Sequence, residues 1–121
     1  MCTGSTPNIS AEIAGYKKII ARAHKKGIRI LRATMTPFKN SQEYAPGYWT
    51  PQKERIREIV NAWIRGRGHF DGVFDFARAV ADPHDPQIIN PIYDGGDHLH
   101  PNDAGYLAMA NTINLKLLLK R

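Results

Sequence analysis

One cysteine, Cys2, stands in a chain of 121 residues. A lone cysteine excludes an intramolecular disulfide and any cysteine-based zinc spacing, and its terminal place favours an incidental thiol over a nucleophile. No uninterrupted apolar run approaches the ~20 residues that span a bilayer, so no membrane span is expected. Residues 1–10 lack the basic and apolar segments of a signal peptide, and the sequence reads as soluble, with localisation otherwise open. Acidic residues are in the minority, 11 against 17 Lys and Arg, for a formal net charge of +6. The cations fall in helical stretches (Lys17, Lys18, Lys25, Lys26, then Lys53, Arg55, Arg57) and not in one aromatic-studded run. They read as solvated helix faces, and no nucleic-acid partner is expected. Repeats, low-complexity tracts and linkers are also missing, so residues 1–121 form one unit of ordinary globular composition, 42% hydrophobic and 23% charged.

Strands and helices alternate along what remains. Ser10 is a candidate cap for a helix to about Lys26, with Ile13, Tyr16, Ile20 and Ala23 at helical spacing and Gly27 as its stop. Residues 28–35 are β-like and end at Thr36-Pro37; residues 37–49 read as a long polar loop. Thr50-Pro51 starts a helix whose face carries Ile56, Ile59, Val60, Trp63 and Ile64. Residues 72–76 form a second short strand, and an Asp/Pro-rich loop follows. Asn102 or Asp103 then caps one last helix through Leu107, Ala110, Ile113, Leu117 and Leu118. This order predicts an α/β fold with a parallel sheet, its chemistry beyond the carboxyl ends of the strands, where both long loops would meet. Two strands make a small sheet that wants more neighbours, and its exposed edge invites self-association.

The densest chemistry lies in Tyr93-Asp94-Gly95-Gly96-Asp97-His98-Leu99-His100-Pro101-Asn102. A carboxylate three residues before an imidazole can hold the ring in one tautomer and stabilise its cation, as a general base in acyl transfer requires. Asp97 and His100 are therefore the candidate catalytic residues, with His98 a neighbour pointing elsewhere. A rival reading makes Asp94, Asp97, His98 and His100 a metal site. His24, His69 and His84 read as solvated surface histidines, and Trp63 as core. Tyr44, Tyr48 and Trp49 line either an acyl or sugar pocket or a packed lid. Ser5 lacks a preceding strand, and Ser41 is loop filler.

The run Asp97-His98-Leu99-His100-Pro101-Asn102 with Ala104-Gly105-Tyr106 closely resembles the last block of the SGNH (GDSL-type) hydrolases. Supporting words precede it in order: Ile20-Ala21-Arg22-Ala23-His24, Thr34-Met35-Thr36-Pro37-Phe38, Arg57 with Asn61-Trp63-Ile64, and Phe70-Asp71-Gly72-Val73-Phe74-Asp75-Phe76. The resemblance implies a three-layer α/β/α, flavodoxin-like parallel sheet, incomplete in this chain, which corresponds to the family domain's C-terminal part. It also implies hydrolysis of an ester or acetylated carbohydrate by a serine nucleophile, without a cofactor. By position, His100 is similar to the family's base and Asp97 to its partner. The family's Gly-Asp-Ser, later glycine and Gly-x-Asn-Asp motifs have no counterpart. The chain alone is thus expected to be inactive, needing an N-terminal half to complete it. The alternative is a non-catalytic remnant, or a binding module that keeps the inherited fold.

Overall fold

A computed structural model describes residues 8–119. Helix α1, Ile9–Lys25, is capped by Asn8, whose side chain accepts from Ala11 N–H at 3.0 Å. The cap therefore lies two residues before the expected Ser10. Ile13, Tyr16, Ile20 and Ala23 are half-buried while their helical neighbours Lys17, Lys18 and Ala21 are exposed, as the periodicity requires. The helix ends as expected at Gly27, where the N–H groups of Gly27 and Ile28 return to the carbonyls of His24 and Ala23.

Strand β1 covers only Leu31–Ala33 and pairs in parallel with β2, Gly72–Phe74, in the register Leu31↔Gly72, Arg32↔Val73, Ala33↔Phe74. Both are shorter than the apolar runs that announced them. At the front of β1, the N–H of Ile28 is spent on closing α1. Behind it, Met35 is claimed by Asn61, whose Oδ1 accepts from Met35 N–H at 2.8 Å and whose Nδ2 donates to Met35 O at 2.9 Å. After β2, Asp75 caps a helix absent from the sequence reading, α3, Phe76–Val80, instead of extending the strand.

Helix α2, Pro51–Arg65, begins at Thr50, whose hydroxyl accepts from Lys53 N–H at 3.1 Å. Val60 and Ile64 are fully buried, but Ile59 is 38% exposed and leaves the expected apolar face. Glu54, Arg57 and Asn61 are buried in its place. Two apolar residues of α2 join Ala77, Val80 and Ile89 to form the core. The last segment divides in two: α4, Asp103–Ala110, and α5, Leu115–Leu119. The expected single helix breaks because Thr112 Oγ1 bonds back to Met109 O at 2.7 Å, and Asn114 Oδ1 caps Lys116 N–H at 3.0 Å. The class is α/β, as expected, with two parallel strands among the described residues. No helix among the described residues is long and apolar enough to cross a membrane.

Candidate active site

The Asp–His loop is held at both ends before its side chains do anything. Asn90 caps a short 3-10 turn, Pro91–Tyr93, and Asp94 then pairs antiparallel with Pro101. Gly95 N–H donates to His100 O at 2.8 Å, and Asn102 N–H to Tyr93 O at 2.8 Å. Asn102 does two jobs: its Nδ2 donates to Ile92 O at 3.0 Å, while its Oδ1 caps α4 at Gly105 N–H, 2.9 Å away. Close approach explains two glycines. A Cβ on Gly95 would lie 2.7 Å from His100 O, and one on Gly105 2.7 Å from Tyr93 O.

Asp97 and His100 meet within this frame. Asp97 Oδ2 lies 2.6 Å from His100 Nδ1, and Oδ1 accepts from the N–H groups of Leu99 at 2.9 Å and His100 at 2.8 Å. The His100 N–H, the His100 imidazole and the Leu99 N–H together hold the Asp97 carboxyl far below the ordinary carboxylate range. An ionised carboxylate only accepts, so His100 Nδ1 carries the proton and Nε2 is left as the basic nitrogen. His100 is 67% exposed, and its Nε2 makes no hydrogen bond among the described residues.

His98 turns away from this couple and belongs to a second pair. Asp94, 9% exposed at its side chain, places Oδ2 2.5 Å from His98 Nδ1, and its Oδ1 accepts from Gly96 N–H at 2.8 Å and His98 N–H at 3.0 Å. On the other side of the ring, His98 Nε2 lies 3.6 Å from Glu43 Oε2. His98 takes a left-handed backbone, φ +62°, which costs a non-glycine residue about 1–2 kcal/mol. This geometry divides the residues of the rival metal reading. The four side chains pair off as two Asp–His couples, and no group of three or more His, Cys, Asp or Glu converges among the described residues.

The two long loops do meet, as the topology predicts. Glu43 lies in a 3-10 turn, Ser41–Glu43, of the loop after β1, and Tyr44 sets its ring 5.7 Å from His98. Lys39 N–H donates to Gln87 O at 3.0 Å. A cleft of about 420 Å³ beside the Asp–His loop is lined by Asn40, Ile88, Ile89, Pro91, Asp94 and His98. Another, about 490 Å³, opens between α2 and α3 around Arg57, Arg65 and Arg78, and neither cleft is lined by Asp97 or His100. Of the three loop aromatics only Tyr44 reaches the site; Tyr48 packs on Phe38, and Trp49 Nε1 donates to Glu54 at 3.1 Å.

The remaining candidates have structural roles. His24 is not merely solvated: its Nε2 lies 2.7 Å from Asp71 Oδ2, which also accepts from Ile30 N–H at 2.7 Å. His69 likewise stacks on Trp63 at 3.8 Å and bonds Trp63 O. His84 is exposed, and Trp63 is half-buried between α1 and the Phe70 turn. Ser41 is buried with an unpartnered hydroxyl, Ser10 is exposed on α1, and neither hydrogen-bonds to His100. Cys2 and Ser5 lie outside the described residues. The sequence reading missed the Asp94–His98 pair, although two glycines spanned by an aspartate and a histidine four residues on were its visible signal.

The described residues form an α/β frame with a parallel strand pair, and one loop of it presents two Asp–His couples. Residues 2–108 match the family model described as the GDSL-like Lipase/Acylhydrolase family, and the chain belongs to that family of ester-hydrolysing enzymes. No curated protein matches the chain significantly.

Proposed function

We propose that this chain supplies the Asp–His half of the catalytic triad of a carboxylic ester hydrolase acting on an ester or an acetylated carbohydrate. The carrying observation is the Asp97–His100 couple with its Nε2 open to the surface, 2.6 Å from carboxylate at Nδ1. In this reading His100 Nε2 takes the proton of a serine hydroxyl as the serine oxygen bonds to the ester carbonyl carbon, gives it to the alcohol as the acyl–oxygen bond breaks, and then deprotonates the water that releases the acid from the serine. Asp97 remains ionised throughout, keeps the ring in the Nδ1–H tautomer and stabilises the imidazolium. The described serines do not reach His100, so the nucleophile is assigned to another segment. The test uses a polypeptide that contains the serine motif, assayed on a chromogenic acetate ester. His100→Ala lowers kcat by at least about 10³-fold with KM little changed. Full activity in that variant sinks the assignment.

The absence of a serine at His100 among the described residues also favours a second reading, a non-catalytic module that keeps the family fold. The 121-residue chain then hydrolyses the same ester no faster than free imidazole at equal concentration, and no longer polypeptide is found in its source.

A further inference from the structure

The loop holds two Asp–His couples where a hydrolase needs one, and their outward nitrogens differ. Among the described residues, Nε2 of His100 is unengaged, whereas Nε2 of His98 faces Glu43 at 3.6 Å. We propose that His98 is a positioning residue: gripped by Asp94, it fixes the turn that presents Asp97 and His100, and packs that turn against the Glu43–Tyr44 segment. The proposal rests on the reading of Asp97–His100 as the acid–base couple.

Three observations support it. The chain between the two couples runs through Gly95 and Gly96, with Gly96 at φ +112°, so backbone stiffness alone does not set the direction of the turn. Asp94 spans those glycines with one carboxylate, accepting from Gly96 N–H, His98 N–H and the His98 ring. Its hold on both the N–H and the ring of His98 keeps that residue left-handed. The left-handed step turns the N–H groups of Leu99 and His100 back onto Asp97 Oδ1. Finally, the ring of His98 spans two segments far apart in sequence. Asp94 takes Nδ1 on the loop side, while the Glu43 carboxylate and the Tyr44 ring face it from the segment after β1. The acid–base couple and the 37–49 loop, with the cleft lined by Asn40 and His98, are thereby set in one geometry.

The test is NMR of the ¹⁵N-labelled 121-residue chain. The unmodified chain shows two carboxylate-held imidazole Nδ1–H protons, assigned to His98 and His100; an unprotonated His98 Nδ1 overturns the proposal without any variant. His98→Gly relieves the left-handed backbone but removes the ring, and is expected to broaden the His100 Nδ1–H. It also speeds amide exchange at Leu99 and His100 by about tenfold, with Val60 and Ile64 still protected. Glu43→Gln, at an exposed site, raises the same two rates by a smaller factor. His98→Gly with wild-type rates and an unchanged His100 signal means that the ring positions nothing. Loss of protection at Val60 and Ile64 as well would make His98 a fold residue, and equally overturn a positioning role. These readouts need no turnover, so they stand apart from the His100→Ala activity test that judges the acid–base reading.

Discussion

His98 and His100 present the same chemistry at Nδ1 and are separated by what faces Nε2, so neighbouring residues acquire different work from one loop. Asp97, which serves His100, shares a signature with two other carboxylates. His100 N–H holds Asp97 down most strongly, Ile30 N–H then His24 hold Asp71 down, and at Asp75 the Arg65 guanidinium and Thr34 hydroxyl outweigh a burial that pushes the other way. A carboxyl depressed in the folded state stabilises fully above its unfolded value near pH 4, and that stability drains away as pH falls through the folded value. Melting temperature should therefore be insensitive to these three groups between about pH 5 and 8, and should fall below about pH 4. Asp97→Asn keeps an acceptor for Leu99 and His100 N–H but cannot ionise, so its melting curve should lose less on acidification than the parent's. Equal acid slopes for parent and variant would show that Asp97 is not held down in the folded chain.

At the scale of elements, α2 joins the sheet to the site through polar side chains. Arg57 Nη2 meets Glu54 Oε2 at 2.6 Å, with the two side chains 8% and 3% exposed, and Arg57 Nη1 reaches Met35 O at 3.0 Å. With Asn61, this couple fixes the chain as it leaves β1 toward the loop that carries Glu43. Arg57→Ala leaves the Glu54 carboxylate buried and unpaired, and should cost about 3–5 kcal/mol in denaturant unfolding; Glu54→Leu with Arg57→Met should recover most of it. A loss under ~1 kcal/mol in the single variant would place Glu54 in water. Elements of this kind explain what the sequence could and could not disclose. Caps and stops were legible because their chemistry is local: Thr50-Pro51, Gly27 and Asn102 stand where they were read. The buried stripe Glu54, Arg57, Asn61 was not, since a helical period in polar residues looks like a solvated face until the backbone of Met35, just beyond β1, and Trp49 satisfy it. Asp97 and His100, three residues apart, could be read directly. Glu43 opposite His98, brought there by a loop 55 positions earlier in the numbering, could not.

On the scale of the whole molecule, charge and apolar exposure pull in opposite directions. Among the described residues the hydrophobic core is small, built on Val60, Ile64, Ala77, Val80 and Ile89, while Tyr106, Leu107, Leu115, Leu118 and Leu119 on the last two helices are each at least half exposed. Side chains of that size gain about 1.5–3 kcal/mol each on full burial, a large incentive for two copies to cover one another. The formal charge of +6 opposes the same encounter, because like molecules repel until salt screens them. Salt should then promote association: raising it from about 0.05 to 0.5 M shrinks the screening length several-fold and leaves the apolar term in place. The weight-average mass in sedimentation equilibrium should rise above 13.6 kDa with added salt. Leu107→Gln combined with Leu118→Gln should return it to the monomer value. A mass that falls with salt would instead assign the contact to charges, and one that rises in the double variant as well would move it off α4 and α5, leaving the edges of the two-stranded sheet as the surface to test.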